Sequence, residues 1–152
     1  MLGEAVTSCP DTLWLAPEYL NRYWHIAYHA LFYTHLYLHT SETDFHPWAK
    51  HKKDYQFLGP VPWPPHERPQ IDVPYSKEDI LEYLQLCRSE IGPRMQTVDF
   101  AAPSGFPWYP VNKLELQFIN IRHIQHHGAQ LIDRLRTISE IPSKWVGTVP
   151  IL

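Results

Sequence analysis

Cysteine is scarce in this chain, which has only Cys9 and Cys87 among its 152 residues. Because the two lie far apart and form no CxxC pair, they exclude a small fold held together by a framework of disulfide bonds. We therefore expect two free thiols, with Cys87 a small residue of the core. A reducing compartment, the cytoplasm, suits such a chain best.

Runs of basic residues and long apolar stretches are also missing. The formal net charge is -3, and no Lys/Arg cluster provides the footprint that nucleic acids or anionic membranes require. The most apolar stretch, Trp24 to Leu38, is shorter than the roughly 20 residues of a membrane-spanning helix and contains three histidines. Met1 to Glu4 show no basic start of a signal peptide. We expect no nucleic-acid partner, no membrane partner and no export.

What the chain does have is apolar residues in helical patterns. With 44% hydrophobic and 14% aromatic content it can bury one core, so a single domain over residues 1–152 is expected. The first predicted helix runs from about Pro17 or Glu18 to His39 and is buried on more than one face. The second begins at Ser76, a capping residue, and should stop or kink at Gly92-Pro93.

The third predicted helix has the clearest limits. Asn112 caps it, Glu115 follows three residues later, and the helix ends near Thr137. Its apolar positions are Leu114, Phe118, Ile121, Leu131 and Leu135. With the two preceding helices and no strand pattern, this predicts an all-α fold.

Between the first two helices lies a segment, Ser41 to Tyr75, that holds seven prolines and six aromatic residues. The prolines rule out regular structure, and the aromatic residues argue against polar disorder. We expect an extended strap over the helices. It either covers apolar surface, the commoner role, or forms a lid over a functional pocket.

The candidate functional residues are histidines, of which the chain has ten, and their spacing is informative. His123 and His127 lie four residues apart, so their side chains emerge one turn apart on one helix face, about 6 Å from each other. His25 and His29 repeat this spacing on the first helix. Ile124 follows His123, so the glutamate of an HExxH motif is absent and a zincin mechanism is not predicted. Buried single histidines are more often structural than ligands, but facing helices of a bundle do build metal sites.

Two stretches resemble the signature helices of the DinB superfamily: Tyr28-His29-Ala30-Leu31-Phe32-Tyr33-Thr34, and Arg122-His123-Ile124-Gln125-His126-His127-Gly128-Ala129-Gln130-Leu131. The resemblance spans roughly residues 9 to 140. It implies an up-down-down-up four-helix bundle that binds one divalent metal ion, usually Zn, Ni or Fe. The implied ligands are His29 from the second bundle helix and His123 and His127 from the fourth. Gln130, His126 and His25 are weaker candidates for residues that orient the ligands.

The chain departs from the family pattern in two places. Only about eight residues precede Cys9-Pro10, so the first bundle helix is truncated and leaves apolar surface that a second copy of the chain or the strap should cover. A homodimer is therefore expected, although a translation start upstream of Met1 would also explain the short N terminus. The second departure is Gly92-Pro93, which should shorten or bend the third bundle helix.

The resemblance implies either a metal-dependent hydrolase or a thiol-dependent S-transferase, acting on a small-molecule substrate or a low-molecular-weight thiol. Three neutral imidazoles leave a metal ion with its charge and an open coordination position, which allows both reactions. A binding module without turnover and a structural, dimeric scaffold remain as alternatives. No general base is identified: Glu18, Asp133 and Tyr28 are near the candidate ligands in sequence, which does not define their distance from the ion.

Overall fold

The computed structural model describes residues 1–143 and 147 and shows an all-α fold, as predicted. Within this range the helices are α1 (Leu2–Ser8), α2 (Asp11–Trp14), α3 (Tyr23–Leu38), α4 (Lys77–Thr97) and α5 (Lys113–Ser139). The described residues form no strand, only an isolated bridge between Pro103 and Asn112. None of these helices is both long and apolar enough to cross a bilayer.

Helix α3 lies at the centre of the fold. It packs against α4 and α5, and α1 and α2 also contact it. Fourteen of its 16 residues are buried, so apolar side chains point in all directions, as expected for a helix enclosed on every face. The polar residues among them include Thr34 and His35, and these need partners inside the protein.

The predicted start of α3 at Pro17 or Glu18 is wrong, because the helix begins at Tyr23 after Arg22 in an extended conformation. Residues 17–22 form turns, and Leu20 is 75% exposed. Tertiary contacts hold these turns: Arg134 of α5 donates a hydrogen bond to the carbonyl of Asn21 (2.9 Å) and places its guanidinium over the ring of Tyr19. These tertiary contacts outweigh the local helix propensity on which the predicted start was based.

Helix α4 starts as predicted, with a capping box between Ser76 and Asp79. Of the two outcomes predicted at Gly92-Pro93, a stop is wrong, because α4 continues to Thr97 with Pro93 inside the helix, whereas a kink stays a prediction. The carbonyl that loses its hydrogen bond to the proline is that of Ser89, an exposed residue, so water can satisfy it. An ion pair from Glu90 to Arg94 (2.6 Å) also spans the proline.

Helix α5 has the predicted capping box between Asn112 and Glu115 and ends at Ser139, close to the predicted Thr137. Leu131 and Leu135 are buried, as is Leu116. The other three apolar positions of the predicted pattern lie outside the core, with exposures of 46% for Leu114, 59% for Phe118 and 50% for Ile121. Together they form an apolar stripe on α5.

The short N-terminal segment covers part of the core. Leu2, Ala5 and Val6 of α1 are buried, and Tyr23 donates a hydrogen bond to the carbonyl of Ala5 (3.1 Å). Helix α1 contacts α3, α4 and α5. The segment is therefore an integral part of the fold although α1 has only seven residues. Both cysteines are free and buried, as expected.

The segment between α3 and α4 packs over α3 as the predicted strap. Its aromatic residues Trp48, Tyr55 and Tyr75 are buried, and Trp48 stacks on Tyr83 of α4 with ring centroids 4.7 Å apart. The backbone carbonyl of Tyr75 accepts a hydrogen bond from the indole N–H of Trp14 (3.0 Å). The strap thus buries apolar surface, one of its two predicted roles.

A buried lysine joins α3 to α5. The ammonium of Lys113 donates to the carbonyls of His39 (3.0 Å), Thr40 (2.6 Å) and Ser104. Burial lowers the pKa of Lys113. Gly105 has a φ of +82°, and a Cβ there would lie 1.9 Å from the Thr40 carbonyl oxygen, so this close approach requires glycine. The hydrogen bonds of Lys113 hold the C-terminal end of α3 against the N-terminal end of α5.

Candidate metal centre

Three histidine rings from two helices meet beside α3. The ring centroid of His29 on α3 lies 4.9 Å from that of His123 and 4.6 Å from that of His127, and the two α5 rings are 4.6 Å apart. Each ring offers a nitrogen, and these nitrogens all lie within 4.8 Å of one another. The one-turn spacing on α5 and the packing of α3 against α5 produce this cluster.

Hydrogen bonds orient two of the three rings. His29 Nδ1 donates to the carbonyl of Gln56 in the strap (2.6 Å), and His127 Nδ1 donates to Oε1 of Gln130 (2.8 Å). A neutral imidazole with its proton on Nδ1 has an unprotonated Nε2. His29 and His127 therefore each have an unprotonated Nε2 that can bind a metal ion.

The donor set fits a divalent transition metal. His29 Nε2 and His123 Nε2 are 3.0 Å apart. Two metal–nitrogen bonds of about 2.0–2.1 Å place their nitrogens roughly 3 Å apart, so this pair needs little movement to bind one ion. His123 Nδ1 is buried and has no hydrogen-bond partner among the described residues, which leaves this ring the least constrained of the three. Imidazole ligands suit zinc, nickel and iron.

Burial keeps the three imidazoles neutral. It lowers the pKa of His29 to about 3, against the opposing hydrogen bond to Gln56, and the neighbouring His127 and His123 lower it further. Burial likewise lowers the pKa of His123 to about 4, with His127 and His126 adding to the effect. The pKa of His127 is lowered by burial too. At neutral pH the cluster can accept a metal ion without first losing protons.

The other three predicted site residues differ in where they lie relative to the histidine cluster. Gln130 lies against His127, where a ligand-orienting residue should lie, although that role stays a prediction. The exposed His126 stacks edge-on near His127 with centroids 5.0 Å apart. His25 points instead to the strap, where Nε2 donates to the carbonyl of Tyr55 (2.8 Å).

None of the three residues considered as a general base lies in the cluster. Glu18 and Asp133 are exposed. Tyr28 is fully buried and bonds His51 Nδ1 through its hydroxyl (2.6 Å). None of these three residues is therefore identified as a general base for the site.

Sequence reasoning missed two contributors to the site. The first is the carbonyl of Gln56, which no residue type signals, because every residue has a carbonyl. The second is a cavity of about 620 Å³ that opens onto His29 and His123. The aromatic residues of the strap were the available signal for it. Phe57, Pro62 and Trp63 of the strap line the cavity, and the second predicted role of the strap, a lid over a functional pocket, stays a prediction.

A second group on α3 has the same one-turn spacing. His35 and His39 lie near Glu90 of α4, and their ligand atoms are also within 4.8 Å of one another. Here a cation is already present: Arg94 donates to Glu90 Oε2 (2.6 Å) and lies 2.6 Å from His39 Nε2. A metal ion would meet the charge of this guanidinium, so the group works as an ion-pair network. The sequence contained the His35/His39 spacing, but it was not identified as a pair.

No family model matches the chain, and neither a curated protein nor a solved structure matches it. Membership of the DinB superfamily therefore remains a prediction from the two histidine-bearing stretches.

The buried histidines should make stability depend on pH. Histidine in the unfolded chain titrates near pH 6.5, whereas burial lowers the pKa of His25 and lowers that of His29 to about 3. Between these values the unfolded chain binds more protons than the folded one, so the free energy of unfolding falls as the pH falls below about 6.5. We expect the urea midpoint of the metal-free protein to decrease from pH 7 to pH 5.

The variant His25→Gln isolates one contribution, because a glutamine amide can still donate to the Tyr55 carbonyl but does not titrate. Its stability should fall less than that of the unmodified protein over the same pH range. An equal fall in both proteins would contradict a lowered pKa at His25. Urea unfolding followed by tryptophan fluorescence provides the measurement.

Gln130→Ala removes the acceptor that orients His127. Loss of such an orienting partner typically weakens metal binding about 10- to 100-fold, and we expect an effect of that size on zinc affinity. The matched control is Gln125→Ala, because Gln125 is exposed on the same helix. Competition titration with a chromogenic chelator measures both variants, and equal zinc affinities would argue against a role for Gln130.

Proposed function

We propose that this chain is a DinB-like metalloprotein that binds one divalent ion through His29, His123 and His127. The observation that supports it is the cluster of three buried or half-buried imidazoles from α3 and α5, whose ligand nitrogens all lie within 4.8 Å of one another. Two of them are held in the tautomer that leaves Nε2 unprotonated. The metal is zinc, nickel or iron, in keeping with an all-nitrogen donor set.

An enzyme is favoured over a purely structural metal site. Structural zinc takes four protein ligands, whereas this centre offers three among the described residues and lies beside a cavity. Such an ion supplies Lewis acidity: it polarises a carbonyl and acidifies a coordinated water or thiol. The residues of the chain orient the ligands, and Gln56 and Gln130 hold two of the rings. Hydrolysis and thiol transfer both remain candidate reactions.

Metal analysis tests the site. Protein purified without an affinity tag should bind about one equivalent of zinc or cobalt, and His29→Ala, His123→Ala and His127→Ala should each lose most of it. His126→Ala is the control, because this exposed neighbour should retain full stoichiometry. Cobalt provides a visible spectrum that reports nitrogen ligation directly. Less than about a tenth of an equivalent after metal addition would reject the proposal.

Turnover separates the enzyme from the alternative, a binding module without catalysis. The metal-loaded protein is assayed against a panel of esters and of thiol acceptors, with His123→Ala as the inactive control. Turnover that depends on His123 supports the enzyme and selects between the two reactions. Full metal loading without turnover favours the binding module.

We also propose that the chain forms a homodimer through the apolar stripe on α5. Leu114, Phe118 and Ile121 lie on one face of the helix and are about half exposed. Helix α1 has seven residues and is roughly 10 Å long, whereas α5 has 27 and is roughly 40 Å long. Helix α1 is therefore too short to cover the whole of α5, and a second copy of the chain can cover the stripe.

The variant Phe118→Glu introduces a charge at the centre of the stripe. We expect it to convert a dimer into a monomer with little loss of stability, because the side chain is 59% exposed in the single chain. The control is Leu20→Glu, at an exposed apolar residue that does not belong to the stripe. Sedimentation velocity measures the mass of each protein, and a monomeric parent protein would contradict the proposal.

A further inference from the structure

We propose that the cavity beside the three histidines binds the aromatic body of a small molecule whose single anionic group reaches the histidine centre. The inference rests on the proposed metal site and adds the class of ligand. The ligands that fit best are arylalkanoates, which carry one carboxylate a few bonds away from a flat aromatic ring system.

The size and lining of the cavity support an apolar ligand. Its volume of about 620 Å³ falls within the roughly 300–1,000 Å³ of pockets that hold small organic molecules. More than half of its lining residues are phenylalanine, tyrosine or tryptophan, among them Tyr33, Phe57, Trp63 and Trp108. Several meet edge to face, as Phe57 and Trp63 do at 5.4 Å and 82°. Aromatic walls of this kind favour another aromatic ring, which packs offset or edge-on against them.

Two separate segments each contribute a half-exposed tryptophan to the cavity lining. Trp63 belongs to the strap and is 48% exposed, and Trp108 belongs to the segment before α5 and is 46% exposed. A ring that packs on either indole would remove part of it from water, which is favourable. The indole of Trp108 donates to the hydroxyl of Tyr37 (3.3 Å), so its orientation is already set.

Two of the three histidines of the centre also line the cavity. His29 and His123 line it, and the ring of Tyr33 lies edge-on to both, with centroids 4.9 Å and 5.4 Å away. A ligand in the cavity therefore has its apolar part among the aromatic residues and one end at the imidazoles. Only that end is near the place where a cation would be held.

Charge restricts the ligand further. Among the described residues that line the cavity, Glu42 is the only acid and there is no Lys or Arg. A second carboxylate on the ligand would have no cationic partner and would be repelled by Glu42. Polar thiols with several charges, such as a tripeptide thiol, are therefore poor candidates. One anionic group directed to the metal is the arrangement that the lining accommodates.

Calorimetry on the zinc-loaded protein tests the ligand class, after zinc stoichiometry has been measured separately. We expect 2-naphthylacetate to bind at least ten times more tightly than acetate, which lacks the ring, and than 2-naphthaleneethanol, which lacks the charge. Glutathione should bind more weakly than 2-naphthylacetate. Equal affinity for 2-naphthylacetate and acetate, or tighter binding of glutathione, would overturn the inference.

Variants locate the binding site. Trp63→Ala should weaken 2-naphthylacetate at least fivefold and leave zinc affinity unchanged, whereas Phe100→Ala, at an exposed aromatic residue outside the cavity, should do neither. If one equivalent of zinc binds but Trp63→Ala has no effect on the ligand, the cavity is not the binding site and the metal proposal stands. If zinc does not bind, both proposals fail.

Discussion

The burial of α3 on every face is the constraint from which the rest of the structure follows. A helix enclosed in this way can place polar side chains in the interior only if other elements supply their hydrogen-bond partners. The strap supplies carbonyls to His25 and His29, and α4 supplies the hydroxyl of Tyr83 to Nδ1 of His35. The histidines of α3 thus determine how its neighbours are arranged.

Because the strap supplies hydrogen-bond partners to the histidines of α3, it is part of the candidate metal centre as well as a cover for the core. His25 and His29, one turn apart, bond the consecutive carbonyls of Tyr55 and Gln56. These bonds attach the strap to α3, and they also place the proton of His29 on Nδ1. The same contact therefore stabilises the fold and prepares a ligand. Because Phe57 follows directly, the strap then continues along the wall of the cavity.

Two groups on α3 share a spacing but differ in electrostatics. Around His29, the described neighbours are further imidazoles made neutral by burial, and the cluster lacks a cation of its own. Around His35 and His39, Arg94 already neutralises Glu90. Spacing alone brings imidazoles together in both places. The charge of the neighbouring side chains decides which group is suited to a metal ion.

The sequence alone determined the all-α class, the N-cap at Ser76, the capping box at Asn112 and the one-turn spacing of His123 and His127, because these depend on residues close together in the chain. It could not determine where α3 begins, since Arg134 stabilises the preceding turns from far along the chain. The continuation of α4 past Pro93 depended on the exposure of Ser89, another property of the folded chain. The tautomer of His29 and the cavity beside it were decided only by the tertiary structure, because a backbone carbonyl and an enclosed space have no signature in the amino-acid sequence.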